Sequence, residues 1–130
     1  MTLGSRHVDA QQLGVARPTA SGQTVTVYSL AWPNPASNVT AEVQVCAGAS
    51  QPAPYTFAFP SYFQVKFADG TGIAAYGSRK QPTFERTPLT APHQCVRGWL
   101  DYATSTNQRP VMLRYHEAGA DGKPIEWPIK

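Results

Sequence analysis

Few side chains in this 130-residue chain have the type and spacing to do chemistry. Nucleophilic catalysis requires a Ser or Cys, a base and an orienting group held together, commonly at a strained turn of GxSxG type. The chain has no such turn. Its three histidines stand apart: His7 in a polar N-terminal run, His93 in a Pro-rich loop and His116 at a strand end. Paired carboxylates for glycoside hydrolysis would have to come from Glu42, Asp69, Asp101 and Glu117, and no spacing among them selects a pair. A soft cation has one opening, because Met112, Arg114 and His116 alternate onto one strand face that His93 could complete. The cationic Arg114 between them favours an ordinary polar outer face. Glycine patterns that cradle phosphates or dinucleotides are missing, as is any βαβ unit. The expectation is a protein that is not an enzyme, with no catalytic residues, no metal and no cofactor.

Two cysteines, Cys46 and Cys95, carry no CxxC or metal-ligand spacing. An even, low count in a small β-rich chain favours one disulfide over two free thiols, and such a bond argues for an oxidising compartment. The most unusual local composition is Pro52 to Tyr62, where Tyr55, Phe57, Phe59 and Tyr62 lie among prolines. Rigid aromatics in a connection form an exposed recognition loop, or else Tyr55, Phe57 and Phe59 plug the end of a sandwich. Trp99, with Arg97 and Arg114, is the other candidate contact surface, the alternative for Trp99 being to pack under a loop.

The elements that position these residues read as strands. Charged residues make up 15% of the chain and twelve prolines and ten glycines punctuate it, which suits short strands and many turns. Strand patterns begin at Thr24 to Trp32 and Val39 to Cys46. In the second, Val39, Ala41, Val43 and Val45 face a core while Thr40, Glu42 and Gln44 face water. Phe63, Val65 and Phe67 share a buried face, Asp69-Gly70 marks a hairpin turn into Ile73 to Tyr76, and a weak extended segment covers Thr83 to Arg86. Cys95 to Tyr102, Val111 to His116 and Ile125 to Ile129 complete the set. About seven short strands without helical periodicity predict an all-β, immunoglobulin-like antiparallel β-sandwich. Residues 1–22 read as a flexible N-terminal arm or linker, and residues 23–130 as the single domain.

Strand parity places both cysteines away from the core, Cys46 beside Gln44 and Cys95 beside Arg97 and Asp101. If they bond, the link staples neighbouring strands, or a strand to a loop, rather than pinning the two sheets together as in antibody domains.

Phe67-Ala68-Asp69-Gly70, then Pro82 to Pro88, Leu89-Thr90-Ala91-Pro92 leading to Gly98-Trp99-Leu100-Asp101-Tyr102, and Pro110 to Tyr115 carry a family likeness. Over residues 24–117 the chain resembles the bacterial lipoprotein-associated immunoglobulin-like domain of unknown function. It is also similar in layout to the secreted immunoprotective antigen of mycobacteria. The resemblance implies a β-sandwich of extracytoplasmic location that serves in binding or interaction, with no catalytic residues to transfer.

The net charge of +3 is spread from Arg6 to Lys130, locally denser at Arg79, Lys80, Arg86 and Arg97, without the concentrated basic face of a nucleic-acid binder. No run approaches the roughly 20 apolar residues of a membrane span, and Met1 to Gln12 has no apolar signal core. The expected location is extracellular or the cell envelope, the targeting or anchor segment being separate from this sequence. Three functional readings follow. The first is an extracytoplasmic protein-interaction or binding module whose partner is another protein or an envelope component. The second is a secreted structural or antigenic protein without a ligand, and the third an envelope metal-binding protein. An exposed apolar surface favours the first, its absence the second, and convergence of His93, Met112 and His116 the third.

Overall fold

The computed structural model describes residues 13–32, 38–53, 56–78, 80–104, 109–117 and 124–129. Ten strands and one short 3-10 turn (Pro60–Tyr62) make up its regular structure. Three strands are two residues long: β1 (Arg17–Pro18), β4 (Phe57–Ala58) and β7 (Thr87–Pro88). The longer ones are β2 (Thr24–Ala31), β3 (Val39–Cys46), β5 (Phe63–Phe67), β6 (Gly72–Ala74), β8 (Cys95–Tyr102), β9 (Pro110–Tyr115) and β10 (Ile125–Pro128). These match the runs of β-branched and aromatic residues in the sequence.

One antiparallel sheet has the order β1-β2-β3-β8 and the other β10-β9-β5-β6, with β4 and β7 forming a separate ribbon. Among the longer strands, the first, second and fifth in chain order share a sheet, while the seventh, sixth, third and fourth make the other. This is the order of an immunoglobulin-like sandwich with one extra strand beside the third.

Alternation along the strands builds the core. Val39, Ala41, Val43 and Val45 are fully buried and meet Val25, Val27 and Leu100 of the same sheet, with Phe63, Val65, Leu113 and Trp127 from the other. Tyr102 ties the two layers with a polar bond, its buried hydroxyl donating to the Phe63 carbonyl at 3.0 Å. The Asp69-Gly70 hairpin forms as expected. Gly70 adopts φ +92° and its N–H donates to the Phe67 carbonyl at 2.9 Å.

Three expectations are corrected. Arg17–Pro18 pairs with Val25 and Thr24, and the Gly14 N–H donates to the Val27 carbonyl at 2.7 Å, so residues 13–22 are not a free arm but run along β2. The β2 edge offers unpaired backbone groups that this segment satisfies. Thr83 to Arg86, expected as a weak extended segment, contributes one bridge, Thr83 to Trp99, and no ladder. Instead the 82–84 strip flanks the free edge of β8, the Trp99 N–H donating to Pro82 and the Phe84 N–H to Trp99, each at 2.9 Å. Thr40 and Asp101, expected to face water, are buried. They are cross-strand neighbours, and the segment around Tyr76 closes over them. Its backbone bonds to Asp101 at Tyr76 and Gly77, and the Asn38 amide donates to the Tyr76 hydroxyl at 2.9 Å.

Candidate functional site

The disulfide is present between Cys46 and Cys95. The β3–β8 register runs without a shift from Val39 opposite Tyr102 to Cys46 opposite Cys95, so the bond staples adjacent strands of one sheet, as parity required. Ala47 and Gly48 follow directly. The Ala47 N–H donates to Gln94 at 2.7 Å and the His93 N–H to Gly48 at 3.0 Å, which extends the staple into the loops of this end of the sandwich.

A cleft of about 400 Å³ opens at the same end, where β2 and β5 begin and β3 and β9 finish. Its aromatic lining comes from Phe57, Phe59 and Tyr62, its polar lining from Ser21, Gln23 and Glu117, and the segment 47–50 adds small residues. The chain can bring these parts together because Gly48 lets two backbones touch: a Cβ there would lie 2.5 Å from the Gly22 carbonyl oxygen.

The aromatic lining is one contiguous stack. Phe57 and Phe59 have centroids 5.6 Å apart with planes inclined by 29°, and Tyr62 meets Phe59 edge-on at 5.1 Å. Tyr62 continues to Tyr115 at 5.9 Å, and Tyr115 to Phe63 at 4.8 Å, so the surface rings are braced on the core. Phe57 and Phe59 are half-buried at this end of the sandwich. Tyr55 lies outside the described residues.

On the polar side, the Ser21 hydroxyl donates to Glu117 Oε2 at 2.8 Å and the Tyr115 hydroxyl to the same oxygen at 3.5 Å. Burial, with Glu117 as a second cause, pushes the Tyr115 phenol well above the usual range. Gln23 is 7% exposed and its side-chain Oε1 has no hydrogen-bond partner among the described residues.

Arg97, Trp99 and Arg114 do not form one face, which corrects the expected contact surface. Arg97 and Trp99 lie on the outer side of β8 and Arg114 on β9, in the opposite sheet. Each is engaged. Arg97 sits 3.7 Å from the Tyr28 ring centroid and donates to Glu42 at 2.9 Å, a bond that raises its already high pKa. Lys80 caps the half-buried Trp99 ring at 4.1 Å. Arg114 pairs with Glu126 at 2.7 Å.

Among the described residues, no three His, Cys, Asp or Glu side chains gather as a metal site. The backbone of His93 is tied to Gly48, at the disulfide end of the first sheet, and that of His116 to Tyr62, beside the second.

Sequence reasoning found the aromatic half of the cleft but missed Ser21, Gln23 and the part played by Glu117. Ser21 fell in the presumed arm and Glu117 beyond the last residues of a strand. The only local signal was the pair of turn glycines, Gly22 and Gly48. No family model matches the chain, and no curated protein or solved structure matches it either.

Proposed function

We propose that the chain is an extracytoplasmic protein-interaction module, secreted or in the cell envelope, that acts without catalysis and meets its partner at the aromatic end of the sandwich. The observation that carries this reading is the stack of Phe57, Phe59 and Tyr62, half-exposed on a cleft and braced on the core through Tyr115. Aromatics already fixed in position bury area on a partner at little entropic cost. Elsewhere among the described residues, the large apolar side chains that are strongly exposed are Leu13, Val15 and Tyr76. Three partly exposed rings meet in the cleft, while those of Tyr28, Trp32, Tyr76 and Trp99 lie outside its lining.

The disulfide supports an oxidising location. The resemblance of residues 24–117 to lipoprotein-associated immunoglobulin-like domains points the same way. No helix among the described residues is long and apolar enough to cross a membrane.

The test is photocrosslinking in the source cell, with a photoreactive phenylalanine placed at position 57 or, as a control, at position 114. A discrete protein adduct from position 57 that is missing from position 114 is the expected result, with the protein recovered outside the cytoplasm in its disulfide form. Adducts of equal pattern from both positions, or a cytoplasmic protein with two free thiols, overturn the reading.

A further inference from the structure

We infer that the cleft takes an arginine side chain of a protein partner, whose guanidinium packs on the aromatic surface of Phe59 and Tyr62 and donates to Glu117. This rests on the interaction-module reading above and names the chemistry of its ligand.

The first support is the sign of the site. Among the described lining residues Glu117 is the sole charged side chain. The hydrogen bonds it accepts from Ser21 and Tyr115 both go to Oε2. Gln23 adds an orphaned side-chain oxygen in the same lining. The buried Gln23 oxygen is an acceptor without a donor, which is costly, and the half-buried Glu117 is an anion, so the complementary ligand is a donor and a cation.

The second support is shape. Phe59 packs on Phe57 with planes 29° apart and meets Tyr62 edge-on with planes 63° apart, so the rings form a contiguous aromatic surface rather than a box of separated rings. A tetrahedral ammonium is best held in a box, whereas a planar guanidinium stacks on a wall and presents a rigid fork to a carboxylate.

The third support is a completed copy of the arrangement on the outer face of the first sheet. There the Arg97 guanidinium lies 3.7 Å from the Tyr28 centroid and donates to Glu42 at 2.9 Å, with Gln44 bonded to the Tyr28 hydroxyl. The cleft has the same parts, namely aromatic faces, a carboxylate and a glutamine, and no basic residue among its described lining. Arg86 lies 5.2 Å from the Phe57 centroid but outside that lining, which leaves Phe59 and Tyr62 to carry the contact.

The experiment is an NMR titration of the whole oxidised chain with acetylated, amidated Gly-Arg-Gly and its lysine and citrulline analogues. Citrulline keeps the planar shape and loses the charge. The arginine peptide is expected to bind in the millimolar range and to shift resonances of Phe59, Tyr62, Ser21 and Glu117. The citrulline peptide should bind at least about tenfold more weakly, and the lysine peptide about threefold. Glu117→Gln should weaken the arginine peptide about fivefold, and Phe59→Leu should do the same by an independent route if the first variant disturbs the fold.

Equal binding of arginine and citrulline, shifts centred on Arg114 and Glu126, or full affinity in both variants would overturn the assignment. So would the absence of any shift at tens of millimolar peptide. If position 57 crosslinks a partner while the arginine peptide fails, the ligand class falls and the interaction-module reading survives.

Discussion

Gly98 offers the sharpest test of how the sandwich edge is built. It points into the interior between Arg97 and Trp99, where a Cβ would come within 2.5 Å of the Phe84 nitrogen, 2.7 Å of the Phe84 Cα and 2.7 Å of the Thr83 carbonyl carbon. These are backbone atoms, so no side-chain rotation relieves the clash. Gly98→Ala must push the 82–84 strip outward by about 1 Å to restore ordinary contact. That displacement strains both bonds holding the strip, Trp99 N–H to Pro82 and Phe84 N–H to Trp99, each 2.9 Å. It also draws the buried Phe84 ring from its edge-on contact with Phe63 at 5.5 Å. Two weakened hydrogen bonds at roughly 1 kcal/mol each, with partial exposure of Phe84, give a loss of about 2–4 kcal/mol. For a domain of this size that corresponds to a fall in Tm of roughly 8–15 °C. Thermal unfolding of the oxidised variant by circular dichroism measures it, with Gly70→Ala as the comparison. Gly70 has open space around its Cβ position but φ +92°, so its cost is conformational alone, about 1 kcal/mol. A Gly98→Ala midpoint within about 2 °C of the parent would refute the packing argument.

Further predictions follow from the same structure. Reducing the disulfide, or replacing both cysteines by alanine, should lower stability by about 4 kcal/mol on the loop-entropy account for a separation of 49 residues, read from urea midpoints with and without reductant. Tyr102→Phe removes the hydroxyl that donates to the Phe63 carbonyl and should cost about 1–2 kcal/mol while leaving the fold intact by NMR. Burial raises the phenols of both Tyr102 and Tyr115 above their ordinary value of 10.0. Raised folded-state values mean that this stabilisation is complete below pH 10 and declines above it, by up to about 1.4 kcal/mol per pH unit for each ring. An absorbance titration should show tyrosinate from these two rings arriving with unfolding. Its appearance in the folded protein near pH 10 would contradict the burial.

Much of the architecture was written into local pattern. Alternation in Val39 to Cys46 and Phe63 to Phe67 assigned the buried faces, Asp69-Gly70 marked the hairpin, and side-chain parity placed the cysteines on an outer face before any pairing was visible. These properties depend on the period of a strand and on turn chemistry, both of which act over a few residues. Pairing partners depend on contacts between distant segments. The Cys46–Cys95 bond spans 49 residues, and its in-sheet geometry became definite only with the β3–β8 register.

The burial of Thr40 and Asp101 was illegible for the same reason: their own strands point them outward, and a segment around Tyr76 covers them. Arg97 and Arg114 look alike in sequence, each alternating along a strand, yet chain topology puts β8 and β9 in opposite sheets. The sequence alone thus determined an all-β sandwich, its core faces and the aromatic half of its cleft, because those follow from local periodicity and composition. Only the tertiary structure decided that Ser21, Gln23 and Glu117 join those aromatics, since three segments far apart in the chain meet there through sheet order and the close approach of Gly22 and Gly48.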